Sequence, residues 1–168
     1  TLQGEGGNAG RAAVFCRFSG CNLWSGLEKH RSDAICKFCD TDFVGTDGIN
    51  GGKYTTSNDL SNKIESTWSG QESRLVVFTG GEPGLQIKEE LVAELQARNF
   101  EVAIETNGTV SIPKNIDWVC VSPKASTKLL VTKGDELKLV FPQEGVNPNN
   151  FIGLDFTHFF LQPLDDAN

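Results

Sequence analysis

The sequence predicts an α/β fold built on a mostly parallel sheet. Three observations carry that expectation. Short apolar runs alternate with segments of helical periodicity, one run is apolar on both faces as in a sheet covered on both sides, and turns rich in glycine or proline close the runs. Residues 12–18 read as the first strand, with Val14, Cys16 and Phe18 on one face at period two. A helix is expected within residues 53–69, starting near Ser57, Asn58 or Asp59, any of which can cap it. Residues 74–79 form a continuous apolar run that ends in Gly80-Gly81-Glu82-Pro83-Gly84. Residues 86–98 follow as a helix with Ile87, Leu91 and Leu95 spaced four apart and Asn99 as its stop. Residues 101–105 are the next strand, closed by Thr106-Asn107-Gly108. Residues 118–122, 136–141 and 158–162 complete the set, with Pro113, Pro123, Pro142 and Pro163 punctuating them. Helices are weakly marked in the second half, so its crossovers are expected to be short.

The chain has 168 residues, which suits a single domain over 1–168 with a sizeable core. With 22% charged and 38% hydrophobic residues, the composition excludes disorder as the dominant state. No stretch reaches the ~18 apolar residues that span a bilayer. The start, Thr1-Leu2-Gln3-Gly4-Glu5-Gly6, lacks the basic-then-apolar pattern of a secretory signal. A net charge of -7, from 15 basic and 22 acidic residues, argues against duplex nucleic acid as a partner. The absence of Met anywhere, including position 1, raises the expectation of a trimmed N-terminus.

The five cysteines separate by context, and their odd number argues against a disulfide framework. Cys16 and Cys120 lie in apolar strand runs and read as small buried hydrophobes. Cys21, Cys36 and Cys39 instead flank a polar loop in the spacing C-x14-C-x2-C. Zinc would need a fourth ligand, with Cys16 and His30 as the candidates. Three unrelated thiols are a second reading. An iron–sulfur cluster is the third: three thiolates on four irons leave one iron open for chemistry. His30 and His158 are read as structural or surface residues.

The polar motifs fall at the C-terminal ends of the expected strands, the edge where parallel α/β sheets bind ligands. They are Gly80-Gly81-Glu82-Pro83, Glu105-Thr106-Asn107-Gly108, Ser122-Pro123-Lys124 and Gln162-Pro163-Leu164-Asp165. Any one alone is an ordinary strand-ending turn. Four on one rim, beside three loop cysteines, point to one site.

These residues resemble those of the radical S-adenosylmethionine enzymes, and within them the 7-carboxy-7-deazaguanine synthases. The ordered matches are Gln3-Gly4-Glu5-Gly6, Arg17-Phe18-Ser19-Gly20-Cys21-Asn22-Leu23, Cys39-Asp40-Thr41, Thr79-Gly80-Gly81-Glu82-Pro83, Glu105-Thr106-Asn107-Gly108, Ser122-Pro123-Lys124 and Gln162-Pro163. They span nearly the whole chain. The resemblance implies a partial (incomplete) β/α barrel, a reduced radical SAM core, and conversion of 6-carboxy-5,6,7,8-tetrahydropterin to 7-carboxy-7-deazaguanine with loss of ammonia. It also implies an N-terminal strand and a C-terminal Gln-x-His-Lys segment beyond the residues present. An activase for a glycyl-radical enzyme, using the same cofactors, and a zinc-stabilised binding module are the competing functions.

By resemblance, Cys21, Cys36 and Cys39 would ligate a [4Fe-4S] cluster, whose fourth iron takes S-adenosylmethionine. That cofactor would be used catalytically. Phe38, Cys39, Asp40, Gly81, Glu82, Glu105, Asn107, Ser122, Pro123, Lys124, Gln162, Pro163, Leu164 and Asp165 would line its site. Thr41 would hold Mg2+, with Asp40 and Asp42 as rivals on chemical grounds. Leu2, Gln3, Gly4, Glu5, Arg17 and Thr79 would contact the pterin, Arg17 through the substrate carboxylate. A flavodoxin or ferredoxin as reductant, a homodimer and a cytoplasmic location complete what the resemblance implies.

Overall fold

The computed structural model describes residues 1–70 and 73–164. Six strands form one all-parallel sheet in sequence order: β1 (Val14–Phe18), β2 (Leu75–Gly80), β3 (Glu101–Thr106), β4 (Trp118–Val121), β5 (Lys133–Phe141) and β6 (Asp155–Pro163). Among the described residues no ladder joins β6 back to β1, so the arrangement is the expected incomplete α/β barrel.

Two helices cover the first half of the sheet. Helix α1 (Ser57–Thr67) is capped by Thr56, one residue ahead of the expected candidates: its hydroxyl accepts from the Asp59 amide at 3.1 Å. Helix α2 (Glu89–Ala97) is shorter than its apolar periodicity implies. The carboxylate of Glu82 accepts from the Gly84 amide at 2.8 Å, which folds Pro83–Leu85 into a separate 3-10 turn. Asn99 ends α2 as expected, in the left-handed region at φ 63°; its amide donates to the Gln96 carbonyl and that of Phe100 to Leu95.

The alternation of strand residues sorts them onto two faces. On the helix side, Val14, Val76, Phe78, Val102 and Ile104 pack against Ile64 of α1 and Leu91, Val92 and Leu95 of α2. Full burial of each large aliphatic side chain contributes about 1.5–3 kcal/mol. On the inner face Ala13, Leu75, Val77 and Ala103 pack with Phe15 and Trp118. In the second half Val121, Leu137, Leu139 and Phe156 are covered by loop residues such as Leu129, Val131 and Phe151, so those crossovers are short, as expected. Strands β5 and β6 begin three residues earlier than their apolar runs, because the ladder from Lys133↔Asp155 onward is made by backbone alone.

The N-terminal segment folds across the inner face. Leu2 bridges Ala12 in antiparallel fashion, and the Gln3 amide donates to the Arg11 carbonyl at 2.9 Å. Arg11 anchors it by donating to both carboxylate oxygens of Glu101, at 2.8 and 2.6 Å.

Candidate active site

Strands β1 and β2 end against each other at the rim. The Gly81 amide donates to the Phe18 carbonyl at 3.0 Å and the Glu82 amide to Gly20 at 2.9 Å. Gly80 sits at φ 134°, and a β-carbon there would run into the Phe18 backbone; one on Gly81 would meet the Gly20 carbonyl. Only glycine permits this approach, which brings the Gly-Gly turn directly under Cys21.

The thiol loop that follows is held by a small core of Leu23, Trp24, Cys36 and Phe43, all buried. The Leu23 carbonyl accepts from the amides of Ile35 and Cys36, at 3.0 and 3.3 Å, folding the long insert back on its start. All five cysteines are free. Cys36 and Cys39 share a hydrogen bond, and that bond, with help from Thr41, pulls the Cys39 thiol down to about 6 while Cys36 moves up. Cys21 is pushed up by burial. Among the described residues no three His, Cys, Asp or Glu side chains converge as a single-ion site requires. A cluster places each thiolate on a different iron, so three free thiols on one loop fit it in number and in donor softness.

The rim motifs that follow β2, β3 and β4 meet this loop. Glu82 is fully buried, and its carboxylate accepts from the Thr106 hydroxyl, the Asn107 amide and the Gly84 amide, at 2.7, 2.7 and 2.8 Å. Burial nonetheless leaves its pKa raised. The Asn107 side chain donates to Asn22 at 3.1 Å, and Asn22 donates to Thr109 at 2.8 Å, tying the residue beside Cys21 to the β3–β4 turn. Lys124 donates to the carbonyl and hydroxyl of Ser122, at 2.8 and 2.7 Å, and lies 5.8 Å from the Phe38 ring. Burial lowers its pKa, against the opposing pull of Cys36 and Cys39. Buried Gln143 donates to the Pro123 carbonyl at 3.2 Å and accepts from the Ala125 amide at 3.1 Å, fixing that turn. Gln162, Pro163 and Leu164 lie at the far end of the rim, where the Leu164 amide donates to Phe141 at 3.0 Å. Asp165 lies outside the described residues. The Thr41 hydroxyl donates to Asp40 at 3.4 Å, while Asp42 accepts from the Val44 amide at 3.2 Å.

A second polar group occupies the inner face. Arg17, exposed, is the register partner of Thr79 on β2. Gln3 is buried and donates to Glu105 at 2.7 Å. The Glu5 amide donates to the Gln3 side-chain oxygen at 3.3 Å; Leu2 is exposed, and Gly4 has open space where a side chain would be. Glu105 therefore belongs with Gln3 and Glu5. Strand alternation places it on the face opposite Thr106, which goes to Glu82.

Lys138 joins this group and was not singled out from the sequence. It is buried, donates to Glu5 at 2.8 Å and to Glu105 at 3.3 Å, and draws a raised pKa from Cys120, Glu105 and Glu5 despite the opposing effect of burial. Glu136 beside it accepts from the Gly7 amide at 2.9 Å. A signal was present: Glu136 and Lys138 alternate with Leu137 and Leu139, which marks a charged inner face on an otherwise apolar strand.

No family model matches the chain. It is 60% identical over 173 residues to the 7-carboxy-7-deazaguanine synthase of Caulobacter vibrioides, covering 100% of this chain and 82% of the relative. It is 57% identical to the protein of that name from Burkholderia multivorans, covering 98% and 79%. Among solved structures, QueE from Escherichia coli superposes with a TM-score of 0.73 at 26% identity, over 100% of this chain and 81% of that one.

Proposed function

Because the chain belongs to the 7-carboxy-7-deazaguanine synthase family, enzymes of deazapurine biosynthesis, we propose that it is a radical S-adenosylmethionine lyase. Its reaction would convert 6-carboxy-5,6,7,8-tetrahydropterin to 7-carboxy-7-deazaguanine with loss of ammonia. The observation that most supports this reading is the presence of two separate donor sets. Free thiols sit against a glycine cradle, and an amide–carboxylate–ammonium group lies on the inner face.

When bound, the [4Fe-4S] cluster and S-adenosylmethionine would supply a 5′-deoxyadenosyl radical for hydrogen abstraction from the pterin. The chain's own residues bind and orient. Cys21, Cys36 and Cys39 would each ligate one iron. Gly81 would offer a carbonyl to the methionine amine. Glu82 shapes that turn through Gly84, Thr106 and Asn107, and three bonds leave about one of its four acceptor positions for the same amine. Ser122, Pro123 and Lys124, with Gln162, Pro163, Leu164 and Asp165, would line the ribose and carboxylate. Phe38, Cys39 and Asp40 would lie against adenine.

On the inner face, Arg17 would pair with the substrate carboxylate and Thr79 would lie next to it. The Leu2–Glu5 segment would read the pterin's amino and ring N–H groups, with the Glu5 and Glu105 carboxylates held in place by Lys138. Thr41 would give one hydroxyl to Mg2+, leaving other positions to water and substrate. Among the described residues no helix is long and apolar enough to cross a membrane. A flavodoxin or ferredoxin as electron donor, a homodimer and a cytoplasmic setting belong to the same proposal.

The test is anaerobic reconstitution with iron and sulfide, then incubation with S-adenosylmethionine, reductant, Mg2+ and the carboxypterin. Deoxyadenosine together with the deazaguanine product is the expected outcome. Deoxyadenosine without product would overturn the substrate assignment. Zinc alone, with neither compound formed, would overturn the radical reading.

A further inference from the structure

We propose that Arg31 is the positioning residue of the thiol loop, fixing the Cys36–Cys39 arm relative to Cys21. This rests on reading the three cysteines as iron–sulfur ligands and adds a residue from inside the long insert between them. The insert has no strand pairing to hold it; its only regular element is the 3-10 segment Glu28–Asp33. Arg31 lies in that segment, and its guanidinium spans both arms of the loop.

The Nη1 group donates to the Lys37 carbonyl at 2.8 Å and Nη2 to the Cys39 carbonyl at 3.0 Å, so both grip the backbone that carries the second and third thiols. The guanidinium carbon lies 4.0 Å from the Trp24 ring centroid. Trp24 follows Cys21 by three residues and packs edge-on against Phe43, with ring centroids 5.5 Å apart. The Nε group donates to both oxygens of Glu28, at 2.7 and 2.9 Å, which sets the plane of the fork. One side chain thus stacks on the arm of Cys21 while donating to the arm of Cys36 and Cys39. A planar fork achieves this and a lysine ammonium does not, because lysine has no plane to stack and no fixed angle between donors.

The consequence is a preset loop. With Arg31 in place the backbone that carries Cys36 and Cys39 is tied to the arm of Cys21 before iron arrives. The guanidinium also balances the Glu28 carboxylate beside these thiols; without it that negative charge would stand alone and disfavour the more negative, reduced state of a cluster held there.

The test compares wild-type protein with Arg31→Gln and Arg31→Lys, each reconstituted anaerobically. Three quantities are read: iron and sulfide content, the rate of iron loss to a ferrous chelator, and the midpoint potential by redox titration monitored by EPR. Thermal unfolding of the apo-proteins controls for the fold. Iron loss is expected to be roughly 10- to 100-fold faster in Arg31→Gln, the usual cost of removing a residue that orients metal ligands. Arg31→Lys should also lose iron quickly, yet keep more of the wild-type potential, while Arg31→Gln shifts it negative. Wild-type iron retention and potential in both variants would overturn the proposal and leave the cluster reading standing. A wild-type protein that takes up no iron would overturn the cluster reading and this proposal with it.

Discussion

Replacing Lys138 with methionine removes a charge and keeps most of the side-chain volume. In the wild type this ammonium is 5% exposed and faces Glu5 at 2.8 Å and Glu105 at 3.3 Å. Breaking a buried ion pair from one side costs about 3–5 kcal/mol, because the partner is left without its counter-charge. Glu5 is 45% and Glu105 25% exposed, so water recovers part of that loss. A cost of about 2 kcal/mol remains after screening. Both carboxylates lie in the proposed pterin site, so kcat/KM for the carboxypterin should fall as well. Iron content should not change, since the network lies on the inner face and makes no contact with the thiol loop. Steady-state kinetics on the reconstituted enzyme, with apo-protein unfolding alongside, measures both effects. Lys138→Arg should restore most of the loss. If Lys138→Met turned over and unfolded like wild type, the reasoning that couples this ammonium to Glu5 and Glu105 would be refuted.

Four further outcomes are expected. Gly80→Ala should destabilise the fold by about 3 kcal/mol in urea unfolding, since φ 134° suits glycine alone and the new methyl meets the Phe18 backbone. Glu82→Gln should cost about 2 kcal/mol by the same assay, as its new amide group opposes one of three donors already aimed at the site. In native apo-protein, alkylation followed by peptide mapping should modify Cys39 first, with half-maximal rate near pH 6, while Cys16, pushed by burial to about 12, stays unmodified. Arg11 holds the Glu101 carboxyl below its ordinary range by hydrogen bonding. Its stabilisation is therefore present above the unfolded-state pKa and lost as pH falls through the folded one, and Glu101→Gln should flatten that acid limb in thermal unfolding across pH.

The strands and the site motifs were legible because each depends on local order. The run at 74–79 needs only its own apolar side chains to declare a buried strand, and the Gly80-Gly81 turn needs only the absence of side chains. Helix ends were less legible. Thr56 displaces Ser57 as the cap, and α2 starts after an extended Lys88 at φ -121° and not at Gln86, because both outcomes turn on the local backbone and not on periodicity. Within a single motif, Glu105 and Thr106 part company, one to the inner face and one to Glu82, and the sequence read them together.

By itself the sequence determined the α/β class, the mostly parallel sheet, the three loop thiols as a set apart from Cys16 and Cys120, and the family the chain resembles. These follow from residue type and spacing, which the linear chain carries in full. Tertiary structure decided which groups meet. Lys138 lies 133 positions from Glu5 and Gln3 lies 102 from Glu105. Arg31 reaches both arms of a loop that has no ladder of its own. Contacts across such separations depend on how strands stack and loops close, so the charge that holds the inner face and the cation that sets the thiol loop become visible only once the chain is folded.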